Sequence, residues 1–227
     1  MQILYIANKN YSSWSLRPWI LLRALGVPFE ERLVPFAAGS NWKTFRDFSP
    51  TGKVPCLVDD ESVVWDSLAI SEYVAEQHPE AWPRDAKARA FARCAAAEMH
   101  SGFAALRTQC SMNCGIRVRL RGIDEALRRE LSRLDELWGE GLSLFGGPFL
   151  AGADFTAVDA FYAPVAFRIQ TYGLPMQAEA RAYVERLLAL PAMQEWYRAA
   201  LAESWRDVGH EQEIAQWGEI VEDLRAA

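Results

Sequence analysis

Between residues 49 and 58 the chain reads Ser49-Pro50-Thr51-Gly52-Lys53-Val54-Pro55-Cys56-Leu57-Val58, and Val64-Trp65-Asp66-Ser67 follows shortly after. Pro55 interrupts apolar sequence that would otherwise form a buried strand. Proline has no N–H to give to a sheet ladder, so it belongs at a strand's edge or first residue. A cis Val54–Pro55 bond fits such a turn, and it bares the backbone N–H and C=O of Val54. Asp66-Ser67 then opens an apolar helical pattern, which places a carboxylate and a hydroxyl at a helix N-terminus.

The rest of the first third builds a domain around this unit. Residues 2–6 read as a strand, 14–25 as a helix ended by Gly26, and 29–34 as a second strand. Residues 41–48 are polar and aromatic without a clear period. Residues 54–58 and 62–65 form a hairpin around Asp59-Asp60-Glu61, and residues 67–77 a further helix. An order of βαβ then ββα requires a mixed sheet with helices on its faces, the thioredoxin-like plan. His78-Pro79-Glu80-Ala81-Trp82-Pro83 breaks the pattern and marks a linker.

Beyond the linker the period is helical over 86–112, 123–138, 156–170, 179–190 and 192–201. A tail over 205–224 carries Trp205, Val208, Ile214, Trp217 and Ile220 and is expected to dock. The architecture expected is an α/β thioredoxin-like N-terminal domain over 1–78 plus an all-α C-terminal domain over 86–227.

With 227 residues, 51% of them apolar, the chain can bury a substantial core. A formal net charge of −6 argues against nucleic acid as the main partner. The first residues lack a basic, apolar leader, and no run approaches the ~20 apolar residues of a membrane span. Cys56, Cys94, Cys110 and Cys114 have no disulfide framework and read as reduced thiols, so a cytoplasmic protein is expected. Cys110 and Cys114, one turn apart on the expected helix, lack a second pair with which to bind a metal, and no metal is expected.

Two clusters carry candidate chemistry. A helix N-terminus leaves backbone N–H groups unpaired and favours a carboxylate, while Asp66 can accept from an ammonium group. Asp66 and Ser67 therefore complement an α-amino acid terminus, although either residue could equally be an ordinary helix cap. The second cluster, Asn10-Tyr11-Ser12-Ser13-Trp14-Ser15-Leu16-Arg17, stands at the start of the first helix. Its serines are by default capping residues, yet a hydroxyl there can also donate to a bound thiol. Thr156-Ala157-Val158-Asp159 has capping-box spacing, and its role is structural.

In these residues the chain resembles the cytosolic glutathione S-transferases, over nearly its whole length and most specifically over 10–77. Ser12-Ser13-Trp14-Ser15-Leu16-Arg17 is similar to the Ser-Ser-Cys-Ser-Trp-Arg stretch of the zeta class, pointing to a serine-type, zeta- or theta-like bacterial member. The resemblance implies that Val54, beside Pro55, pairs through its backbone with the cysteinyl unit of glutathione. It also implies that Asp66 and Ser67 hold the γ-glutamyl end, and that Lys53, Trp42 or Lys43 meets the glycine carboxylate. Ser12, with Ser13 beside it, takes the thiolate-activating place; Tyr5 and Tyr11 are competitors. A free thiol has a pKa of ~8.5, and lowering it by one unit takes only ~1.4 kcal/mol, so one well-aimed donor suffices.

Trp14 stands where the zeta class has cysteine, which weakens the case for retained maleylacetoacetate isomerisation and leaves no thiol for redox chemistry. The second-substrate pocket is expected from the helical domain, with Met99, His100, Phe103 and Arg107 on one helix face and Tyr11, Met112 and Asn113 nearby. A core face with an incidental histidine competes with that reading. The implied activity is attack of a glutathione thiolate on a small electrophile, with glutathione as co-substrate, no membrane partner and a homodimeric assembly. A zeta-type isomerase and a non-catalytic glutathione-binding module are the alternatives.

Overall fold

The computed structural model describes residues 1–37 and 39–226. Strand β1 (Gln2–Ile6) pairs in parallel with β2 (Phe29–Leu33) and antiparallel with β3 (Cys56–Asp59), and β3 pairs with β4 (Ser62–Trp65). The resulting order is β2-β1-β3-β4, a mixed sheet. Helix α1 (Ser13–Ala24) makes the parallel crossover, α2 (Trp42–Arg46) is a short turn of helix, and α3 (Ser67–Gln77) follows the hairpin. The sheet buries Leu4, Ile6 and Leu57 against Leu16 and Ile20 of α1 and Ile70 of α3. Pro55 immediately precedes β3, where its missing N–H costs no ladder bond, and the Val54–Pro55 peptide is cis.

The helical part comprises α4 (Ala86–Ser101), α5 (Ala104–Gln109), α6 (Glu125–Phe145), α7 (Ala157–Tyr172), α8 (Ala178–Ala189), α9 (Pro191–Ala202) and α10 (Val208–Trp217). Helix α7 is its axis, buried along almost its entire length and packed on α1 of the first domain. Its capping box is formed by Thr156 and Asp159. The Asp159 carboxylate accepts from Leu150 N at 3.1 Å, Thr156 N at 2.9 Å and the Tyr183 hydroxyl at 2.8 Å. Burial outweighs these bonds and pushes the carboxyl up to about 6. Trp138 packs edge-on against Tyr162 and Tyr183 beside it.

Two features depart from the helical expectation. Residues 86–112 are not one helix: α4 stops at Gly102, and Phe103 takes φ 56°, a left-handed conformation that no β-carbon-bearing residue continues as helix. Arg107 folds back to donate to the carbonyls of Met99 and Gly102, satisfying the end of α4. Second, β5 (Ile116–Leu120) and β6 (Gly218–Asp223) form an antiparallel ribbon beside the helices. Ile116, Val118 and Leu120 alternate with Arg117 and Arg119, a period of two that is visible in hindsight. Cys110 and Cys114 therefore flank a turn rather than share a helix; both are buried, and burial pushes the Cys110 thiol up to about 12.

Candidate active site

The serine cluster is positioned by the far end of the chain. Asn8 C=O accepts from Tyr11 N and Ser12 N at 3.1 and 2.9 Å, which tightens the loop between β1 and α1. Glu203, buried just beyond α9, accepts from Lys9 N at 2.6 Å and Asn10 N at 3.3 Å, and the Trp196 indole donates to Lys9 O at 2.9 Å. Ser12 caps α1: its Oγ accepts from Ser15 N at 3.4 Å and donates to Ser15 Oγ at 2.7 Å. Ser13 is placed differently, its Oγ accepting from the Arg168 guanidinium at 3.4 Å. Its own proton has no acceptor among the described residues, whereas the Ser12 proton is engaged by Ser15.

A cavity of about 440 Å³ runs along the Pro55 edge, lined by Lys53, Val54, Pro55, Trp65, Asp66 and Ser67. Asp66 joins β4 to α3 at φ 76°, a conformation that costs a non-glycine residue about 1–3 kcal/mol. Its Oδ1 caps α3 by accepting from Leu68 N at 2.8 Å, and its Oδ2 lies 3.4 Å from His100 Nε2. Beneath it the Arg17 guanidinium, 1% exposed, is stacked between Trp14 and Phe161 at 4.2 and 4.8 Å. Arg17 lies 3.5 Å from Ser67 Oγ, its Nε has no partner, and no carboxylate lies within ion-pairing distance among the described residues. Burial, reinforced by the charges of Arg107 and Arg168, lowers its pKa.

A second cavity of about 550 Å³ adjoins the first, and the two share Trp14, Lys53 and Val54. Ser12 and Ser13 face it from the first domain, Arg107, Ser111, Met112 and Arg168 from the helical domain, and His210 from α10. Its charged lining contains Lys53, Arg107 and Arg168 and, among the described residues, no carboxylate. Arg168 is buried apart from its cavity face, donates to Cys110 O at 2.8 Å, and burial lowers its pKa to about 10, with Arg107 adding to the effect. Trp14 separates the cavities, its ring flanked by the guanidiniums of Arg17 at 4.2 Å and Arg107 at 4.6 Å.

Most of the residues expected from sequence line one cavity or the other: Tyr11, Ser12, Ser13, Trp42, Lys53, Val54, Pro55, Asp66, Ser67, Arg107 and Met112. The helix face expected to form the second pocket is corrected, because the break at Phe103 rotates its members apart. Met99 is wholly buried in the core, and Phe103 faces a separate hollow beside Glu98 and Arg133. His100 packs edge-on against Trp14 at 5.3 Å and faces Asp66 instead; burial lowers its pKa. Lys43 lines neither cavity, and Asn113 is buried, donating to Glu211. Tyr5 stacks on Phe48 and accepts from Arg32, away from the serines. The Tyr11 hydroxyl is committed to Glu211 and Arg225. Arg168, Ser111 and His210 carried no sequence signal, and Arg17, read only as part of a motif, proves to be a buried charge packed against Trp14, a residue of both cavity walls.

The chain thus has a thioredoxin-like first domain and a helical second domain, with a polar groove at their junction. Family models for the N-terminal and C-terminal domains of glutathione S-transferases match residues 11–77 and 79–199. The chain belongs to the glutathione S-transferase family. It is 47% identical over 55 residues to a dichloromethane dehalogenase of Methylorubrum extorquens, covering 23% of this chain and 19% of that protein. It is 33% identical over 102 residues to a probable maleylacetoacetate isomerase of Caenorhabditis elegans, covering 44% of this chain and 47% of that one. These alignments therefore span less than half of each relative. A glutathione transferase homologue from Burkholderia, solved with bound glutathione, shares the fold at TM-score 0.65 and 24% identity, covering 88% of this chain and 97% of that one.

Proposed function

We propose that the chain is a glutathione S-transferase that binds glutathione in the groove beside Pro55 and presents its sulfur to the serines of α1. The observation that carries this reading is the wall common to both cavities, formed by Trp14, Lys53 and Val54, which joins the Asp66–Ser67 end to Ser12 and Ser13. The γ-glutamyl ammonium meets Asp66, and its carboxylate meets the Ser67 hydroxyl at the start of α3, with the charge of the buried Arg17 behind it. Val54 offers backbone pairing to the cysteinyl unit, and Lys53 or Trp42 meets the glycine end. On this reading residues 1–78 bind glutathione and 86–227 supply the second-substrate pocket, in a cytoplasmic homodimer. The exposed Val63 and Trp65 on β4 support a partner face, which sedimentation would test.

The thiol needs only a donor and a positive field to ionise. Ser12 or Ser13 supplies the first, and Arg168, the α1 N-terminus and Arg107 supply the second. Ser12→Ala and Ser13→Ala are compared by titrating the ultraviolet absorbance of bound thiolate. The serine that donates to sulfur is expected to raise the thiol pKa by about 1 unit when removed. Two variants that both titrate like the parent would remove the serines from the mechanism.

A glutathione-dependent isomerase of the maleylacetoacetate type is the second reading. It is favoured by the arginines beside Ser13, since an anionic substrate would find positive lining there without an opposing carboxylate. Glutathione binding without turnover on either electrophile or isomerase substrate would instead leave a binding module.

A further inference from the structure

Helix α10 and β6 lie beyond the last residue matched by the family models, yet α10 contributes to one side of the cleft. They are fastened there by a polar network. Arg225 pairs with Glu211 and, at 2.7 Å, with Asp223, and its side chain is only 3% exposed. Tyr11, adjacent to Ser12, donates to Glu211 at 2.7 Å and accepts from Arg225 at 3.1 Å. Ser111 donates to Glu213 at 3.0 Å. Gly115 is required beneath this network, because a β-carbon there would lie 2.2 Å from Arg225 Cγ. Together these bonds tie α10 to the loop that carries the serines.

The one side chain that α10 contributes to the cleft is His210. Its ring stacks on Tyr11 at 5.0 Å and lies tilted against Phe36 at 5.2 Å. Its Nδ1 lies 3.0 Å from Asp207 Oδ1, which fixes Nδ1 as the protonated nitrogen and leaves Nε2 with its lone pair. Nε2 has no protein partner among the described residues. The charged or titratable groups facing the ring are Asp207 and Glu211 on α10 and Tyr11 on the serine loop. Lys53, Arg107 and Arg168 lie across the cleft, and Arg225 lies behind Tyr11. An imidazole oriented by a carboxylate and opened toward a reaction cavity is the arrangement a proton carrier needs.

We infer that His210, held by Asp207, carries the proton when the cleft adds glutathione to an electron-poor carbon–carbon double bond conjugated to a carbonyl. This rests on the glutathione-binding reading above. In this addition and in a displacement alike, the serine donor and the positive field ionise the thiol, whose proton leaves to solvent, and Nε2 takes up a proton from solvent. The thiolate then attacks the β-carbon, a C–S bond forms, and the C=C pair moves onto the α-carbon and carbonyl oxygen as an enolate. The imidazolium returns the proton to the α-carbon, leaving the adduct, neutral imidazole and no other product. A displacement at a carbon bearing chloride requires no such return, because the leaving chloride takes no proton. His210 therefore separates the two electrophile classes. Asp207 acts as a positioning residue.

Turnover with benzylideneacetone and with benzyl chloride is measured for the parent and for His210→Gln, which keeps a planar polar group in the stack. The ratio of the two turnover rates is expected to fall about 100-fold in the variant. Asp207→Asn is expected to shift the pH profile of the benzylideneacetone rate, which a purely structural contact would leave in place. Calorimetry of glutathione on the parent separates the failures. No binding sinks both the underlying reading and this one, whereas binding with an unchanged ratio in His210→Gln overturns the assignment of His210 alone.

Discussion

Asp159→Ala is expected to destabilise the protein by about 4 kcal/mol, enough to lower its melting temperature by roughly 10 °C. The carboxylate ties the start of α7 to Leu150 and to Tyr183 of α8, and all three sites are buried. Removing it strands the Leu150 and Thr156 N–H groups and the Tyr183 hydroxyl at about 1–3 kcal/mol each before any relaxation, and it removes a helix cap as well. Because α7 also carries Phe161 and Arg168, the loss reaches the site, and turnover should fall together with stability. Burial pushes the carboxyl up to about 6, above the ~3.9 of an unfolded aspartate. Between those values the folded chain holds a proton that the unfolded chain has released. This contribution to stability is therefore full below about pH 4 and is lost as pH rises toward 6. Urea titrations of parent and Asp159→Asn across that window test it: the variant should show the shallower pH dependence.

Asp66→Ala is expected to weaken glutathione binding about 100-fold, or roughly 2.7 kcal/mol. The side chain has two roles, and they separate experimentally. Oδ1 caps α3, which is worth about 1 kcal/mol to the fold, while the carboxylate charge is available to a ligand ammonium. Asp66→Asn keeps a capping oxygen and loses the charge. It should melt close to the parent and still bind glutathione poorly in calorimetry. Retained affinity in Asp66→Asn, with loss only in Asp66→Ala, would reduce Asp66 to a helix cap. The left-handed backbone at this residue argues for the ligand role, since a cap alone does not require it.

What was legible in the sequence follows the range of the interactions involved. The first domain was read almost element by element because its signals are local: Gly26 ends α1, Pro55 precedes β3 and Asp66 opens α3. The capping box at Thr156 and Asp159 was equally readable, because its two partners stand three positions apart. The break between α4 and α5 was not, because its one local signal, Gly102, stands between long stretches of apolar and helix-forming residues. There the chain turns at Phe103, and the arginine that seals the turn, Arg107, lies four residues further on. The ribbon of β5 and β6 was hidden for the opposite reason: Arg119 and Glu219 face each other across 100 positions of sequence. The polar half of the cleft shares that difficulty. Arg168 reaches Ser13 across 155 positions and Glu203 reaches Lys9 across 194, distances at which no spacing rule operates.

Translation makes α10 and β6 after everything the two family models cover. A nascent chain paused near Ala202 would carry the serines, the Pro55 edge and both arginines of the cleft, yet would leave them open to bulk water on one flank. Helix α10, which brings His210 to that flank, is anchored by the pairing of β6 with β5 and by Arg225 over Gly115. The cleft wall that carries His210 thus comes from a late segment of the chain, pinned back to the serine loop through Tyr11, Glu211 and Arg225.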